Sequence, residues 1–140
     1  MEKLFFILLF FIAPTVVFSQ TRADYEHSIS EFMKFYNKNE AKNICDMYSA
    51  KDWGSSRSTL WTIDKIKDLK EKYGEMKSYK FIELYKPEDG DGGGDGLAFF
   101  KTVFTKSTHM MAVTLNKQNE TLTFRFKTSS PHIDSLLKKN

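Results

Sequence analysis

Few side chains in this sequence have types that could do chemistry, and their spacing decides what each is fit for. The single cysteine, Cys45, falls between Ile44 and Tyr48 on the apolar side of a stretch with helical spacing. A nucleophilic thiol needs a base and a depressed pKa, and no base stands near it in sequence. The spacing therefore predicts a small buried hydrophobe, although in an oxidising compartment such a thiol could also join two chains. The three histidines, His27, His109 and His132, include no i, i+4 pair and no Cys-x-x-Cys neighbour, so a zinc site is not expected. His27 falls on the polar flank of the first predicted helix and His132 at the start of the last. His109 differs, because it sits in a predicted strand in phase with Met111, Val113 and Leu115. Facing a pocket, it could act as a general acid or base; otherwise it is a strand-end histidine at a partly exposed position.

Asp89, Asp91 and Asp95 offer hard oxygen ligands of the kind calcium uses. Counted as a calcium loop from Asp89, position five is Gly93 and position twelve is Phe100, so the bidentate glutamate is missing. Five glycines within Pro87–Gly96 instead predict a hairpin loop whose carboxylates keep it soluble. No cofactor is expected. Asn119-Glu120-Thr121 matches a glycosylation acceptor, a triplet that arises easily by chance, and is assigned no function.

The strands carry the densest aromatic content. Phe99, Phe100, Phe104, Phe124 and Phe126 are more than one sheet face can bury beneath three short helices. A second covered face is therefore expected. Lys101, Arg125 and Lys127 interleave with these rings in the manner of a nucleic-acid stacking platform. Against that reading, 21 Lys plus Arg face 18 acidic residues, and the excess of +3 is dispersed rather than clustered. Nucleic acid is not an expected partner.

The 140 residues suit one domain, and 28% charged with 41% hydrophobic residues describe a globular one. Residues 1–19 read as a leader: Lys3, an apolar run from Leu4 to Ile12, the helix breaker Pro14, and small Val17 and Ser19 before a cut at Gln20. The run is too short to span a membrane, so no anchor is expected after cleavage and the chain should be secreted or periplasmic. Its removal leaves eight Phe, six Tyr and two Trp for one core in residues 20–140.

Three helices and a run of strands must position these groups. Tyr25, Ile29, Phe32 and Tyr36 step by helical intervals, with Asp24 or Thr21 as cap and Asn37-Lys38-Asn39 as the break. Ala41, Ile44, Cys45 and Tyr48 mark a second helix, and residues 49–58 a polar loop holding Trp53. A third runs from about Thr59 to Tyr73 with Leu60, Ile63, Ile66, Leu69 and Tyr73 on one face, ending at a left-handed Gly74. Then the period falls to two. A strand from Tyr79 to Tyr85 is apolar on parts of both faces, and strands follow at about 97–106, 108–116 and 121–127. Short connections favour an antiparallel meander. Pro131 opens a terminal helix with Ile133, Leu136 and Leu137, expected to cover one sheet edge. Helices first and strands afterwards mean α+β.

That order, with Phe32-Met33-Lys34-Phe35-Tyr36-Asn37, Ile66–Lys72 ending in Tyr73-Gly74-Glu75-Met76-Lys77-Ser78-Tyr79, and the strands Ala98–Phe104 and Leu122–Phe126, resembles the nuclear transport factor 2-like superfamily. The resemblance covers most of residues 22–127 and is closest to exported domains of unknown function. It implies a cystatin-like cone, with N-terminal helices packed on one face of a curved antiparallel sheet and a short C-terminal helix. Within such a cone Phe100, Phe104, His109, Met111, Phe124 and Phe126 would line a ligand cavity. Enzymes of the superfamily work with Asp and His there; spacing assigns no acidic partner to His109, although Asp46 on the second helix could serve.

The favoured expectation is an exported, non-catalytic binding domain. It would engage a small apolar ligand, a second copy of itself as a homodimer, or an exported protein partner, through the cavity or the sheet face. The alternatives are an accessory or inhibitor protein acting on an exported partner through the glycine loop and sheet edge, and a proton-transfer enzyme of isomerase or dehydratase type built on His109.

Overall fold

The structure, a computed structural model, describes residues 20–47, 61–85, 96–115, 119–127 and 131–138. In chain order these form α1 (Arg22–Asn37), α2 (Ala41–Asp46), α3 (Ile63–Tyr73), β1 (Met76–Tyr85), β2 (Leu97–Phe104), β3 (Thr108–Leu115), β4 (Thr121–Phe126) and α4 (Pro131–Lys138). The protein is α+β, with helices and a four-stranded sheet.

The apolar stripe of α1 folds as its spacing dictates, with Tyr25, Ile29, Phe32 and Tyr36 at most 1% exposed. Both expected capping residues act together: the Asp24 carboxylate accepts from the Thr21 N–H at 2.7 Å and from its hydroxyl at 2.9 Å. Asn39 ends the segment at φ +61°, a conformation asparagine tolerates better than most residues. In α2, Ala41 and Ile44 are buried. Tyr48, Trp53 and Leu60 lie outside the described residues.

The third helix starts later than expected. Thr62 is extended and its hydroxyl accepts from the Lys65 N–H, so the cap falls there rather than at Thr59. Ile63 consequently lies 41% exposed instead of on the buried face. Trp61, one residue before the cap, and Ile66, four after it, both join the core, which is the placement of a hydrophobic staple. At the other end Gly74 has φ +75° as anticipated, but ψ −155° takes it out of the left-handed helical well into a region open essentially to glycine alone.

Two irregularities explain why β1 looks apolar on both faces. The register with β2 shifts between Met76 and Ser78 and again between Phe81 and Glu83. Each shift changes the parity of inward positions, so Met76, Tyr79, Phe81 and Leu84 all meet the same core while Ile82 points the other way. The four strands then pair consecutively and antiparallel in the order β1-β2-β3-β4, the expected meander; β1 starts three residues before the sequence estimate, and β2, β3 and β4 end one or two residues short of it.

Three short helices and four strands leave two faces to cover. α1, α2 and α3 supply the core on one face together with Ala98, Phe100, Phe104, Met111, Val113, Leu115 and Phe124. On the opposite face Ile133 and Leu136 of α4 pack on Met110, with Ile82, Phe99 and Leu137 around them. α4 thus covers a face and not an edge, a correction to the expectation. Much of the aromatic surplus on the strands is met within one chain.

The join between the helices and the sheet rests on polar groups. The Asn37 amide donates to the Met76 carbonyl at 2.8 Å and accepts from its N–H at 2.9 Å. The Tyr36 hydroxyl donates to the Gly74 carbonyl at 2.9 Å, and burial pushes its pKa up to about 12. Asn37→Ala should lower stability by about 1–3 kcal/mol, since both Met76 groups lose their partner, with a drop in urea midpoint at unchanged slope. Gly74→Ala should lose a similar amount, about 1–3 kcal/mol. A Cβ there is in a forbidden backbone region and 3.0 Å from the Thr105 Cβ. A wild-type midpoint in either variant would show that the join carries no stability.

Candidate functional site

Alternation along β3 directs His109 to the helix side of the sheet, where α3 ends. Its ring lies 4.1 Å from the Tyr73 ring, 5.4 Å from Phe126 and 6.0 Å from Phe104, centroid to centroid. Its Nε2 shares a hydrogen bond of 2.8 Å with the Ser107 hydroxyl. Burial, and then the nearby Lys72 ammonium, hold its pKa below the ordinary 6.5. The imidazole is therefore neutral at pH 7, wedged among aromatic rings. Asp46 is bound to Lys42 on an exposed turn of α2, and no carboxylate touches His109 among the described residues. Among the described residues this arrangement stacks and positions a ring.

The other residues expected to line a cavity are core. Phe100, Phe104, Met111 and Phe124 are at most 3% exposed, and Phe126 is half-buried among them. Phe124 packs on Phe32 at 4.6 Å, Phe104 on Tyr36 at 5.6 Å and Phe100 on Phe81 at 5.8 Å. Trp61 completes this cluster, donating from its indole to the Phe124 carbonyl at 2.6 Å and placing its ring 5.8 Å from Phe126. Trp61 stands outside the helical stripes that mark the rest of the core, and its staple spacing to Ile66 is the signal in the sequence that points to it.

The remaining candidates separate. Cys45 is half-buried, its thiol donates to the Trp61 carbonyl, and burial followed by the Asp46 charge raises its pKa, the opposite of a nucleophile. His27 is exposed on α1. Asp89, Asp91 and Asp95 lie outside the described residues, and among those described no group of three or more His, Cys, Asp or Glu could hold a metal. Asn119 is exposed at φ +61°, while the Thr121 hydroxyl is buried against Ser28 of α1.

A hollow of about 300 Å³ lies elsewhere, between the end of α1, the start of α2 and the middle of α3. Tyr36, Ala41 and Ile66 form its apolar wall, with Lys67, Lys70 and Glu71 around it. No periodicity in the sequence marks it, because its residues come from three elements.

The depressed His109 pKa carries a sign. As pH falls the unfolded chain takes this proton first, so the contribution to stability is full above pH 6.5 and is lost as pH drops through 6.5 towards the lower folded-state value. An NMR titration should place the His109 midpoint below 6.5, and His109→Asn should remove this component from the pH dependence of the urea midpoint. A midpoint at or above 6.5 would contradict the burial of this ring beside Tyr73 and Phe126.

No protein-family model matches this chain, and no curated protein and no solved structure matches it either.

Proposed function

We propose that this protein is an exported, non-catalytic binding domain of the nuclear transport factor 2-like type, docking a protein partner on the outer face of its sheet. The apolar leader of residues 1–19 supports export, and the order of helices followed by a meander supports the family reading. The interior candidates are buried against one another, which turns attention outward. On the outer face α4 is only eight residues long and gathers Ile82, Phe99 and Met110. Tyr85 and its cross-strand neighbour Leu97 fall in neither core cluster, and Tyr85 is 56% exposed. Val103 is likewise outside both clusters.

One observation carries the reading furthest. Lys80 and Lys101 stand directly opposite each other on this outer face, and neither side chain has an ion-pair or hydrogen-bond partner among the described residues. Like charges so placed repel within a sheet. An acidic group from a partner, flanked by apolar side chains for Tyr85 and Leu97, would relieve that repulsion and bury the exposed apolar area together. The partner is accordingly a polypeptide with an acidic, apolar-flanked surface, a second copy being the less fitting occupant because it would bring the same lysines.

Native mass spectrometry of the chain, purified gently from the exported fraction of its own host, tests this. A second polypeptide at fixed stoichiometry is expected from wild type. Leu97→Glu should abolish the complex, and Lys101→Glu or raised salt should weaken it about tenfold or more. A wild-type chain that runs bare, or a complex indifferent to both substitutions, would end the proposal.

A further inference from the structure

The hollow between α1, α2 and α3 contains a charge that its structural role does not use up. Lys70 projects from α3 towards the end of α1, where its Nζ donates to the Tyr36 carbonyl at 3.0 Å and the Asn37 carbonyl at 3.2 Å. It also lies 4.9 Å from the Tyr36 ring centroid. An ammonium has three donors, and those two carbonyls take two of them. No carboxylate lies within ion-pairing distance of Lys70 among the described residues, although it is half-buried and desolvation draws its pKa down. Lys67, one turn earlier on α3, stands on the same hollow.

The walls below these charges are apolar. Ile66 is 4% exposed and Ala41 8%, and the small Ala41 side chain leaves the space open. Glu71 is the acidic residue of the lining, and its backbone carbonyl is taken by Lys106. At roughly 30 Å³ per water-sized group, a hollow of about 300 Å³ admits about ten non-hydrogen atoms, at the lower limit of small-molecule sites.

We infer that this hollow binds a small amphipathic carboxylate, a medium-chain fatty acid or a compound of that shape and charge. The apolar tail lies on Tyr36, Ala41 and Ile66, and the carboxylate takes the third Lys70 donor with Lys67 beside it. The exchange is favourable on both counts, since apolar surface leaves water and a partly desolvated ammonium gains a charge-assisted hydrogen bond. It is independent of the protein partner on the outer sheet face.

Octanoate, with ten non-hydrogen atoms, is the probe, and octanamide is its uncharged counterpart. The ¹⁵N-labelled full chain, expressed in and purified from its own host, is titrated with each and followed by amide chemical shifts. Octanoate should saturate at about 0.1–1 mM with shifts centred on Asn39, Ala41, Ile66, Lys67, Lys70 and Glu71. Octanamide should bind at least tenfold more weakly. Lys70→Gln should bring octanoate to the level of the amide, and Ala41→Leu, which fills the space and keeps Lys70, should remove both. Equal affinity for acid and amide, saturation centred on the sheet, or no saturation by octanoate would overturn the inference. The comparison of the two probes on wild type decides it even where a variant fails to fold.

Discussion

Asn37 treats the first residue of the sheet as a neighbouring strand would, giving one hydrogen bond and taking another from the Met76 backbone. Around this pair the Tyr36 hydroxyl holds Gly74, and Lys70 closes the last carbonyls of α1. Contacts between residues more than thirty positions apart must meet a loop-closure cost before they return anything. Once made, they fix the end of α1, the end of α3 and the start of β1 with respect to one another. The parity of β1 is counted from Met76, so the inward placement of Tyr79, Phe81 and Leu84 depends on the same join. The hollow beside Lys70 depends on it too, because two of its three walls are the helices tied there.

The polar join also explains what could be read in the sequence and what could not. The stripe of α1 and the consecutive pairing of the strands are local properties of spacing, and both were legible. The start of α3 was not, because Thr59 and Thr62 are equally plausible caps until Trp61 is seen to enter the core. By alternation alone β1 looks apolar on both faces, because alternation assumes one residue opposite one residue; at Ile82 that count breaks. Ile133, Leu136 and Leu137 mark an apolar face on α4, but nothing in their spacing says whether it meets an edge or a face.

The candidate site separates along the same line. Alternation shows that Phe100, Phe104, Met111 and Phe124 point inward, and they do. It does not show whether the inside is a cavity or a filled core. That depends on the volumes supplied by α1 and by Trp61, which are set by tertiary packing. His109 shares the inward face yet remains half-exposed at the end of the sheet, with rings and a hydroxyl for company among the described residues. Charge behaves likewise: composition gives +3, but only the register sets Lys80 opposite Lys101.

The two register shifts of β1 matter beyond the interior. At ten residues β1 is the longest strand and one margin of the sheet, and beyond Met76, which Asn37 covers, no strand pairs with its outward row of backbone groups among the described residues. Irregularities at Lys77 and Ile82 interrupt that row twice, and exposed lysines at 77 and 80 charge it. A second strand cannot keep step along such a margin for more than a few residues, so templated growth into stacked sheets is discouraged. β4 guards the other margin by brevity, with six residues. Both margins of the sheet are thereby closed to indiscriminate stacking, one by broken register and charge, the other by shortness.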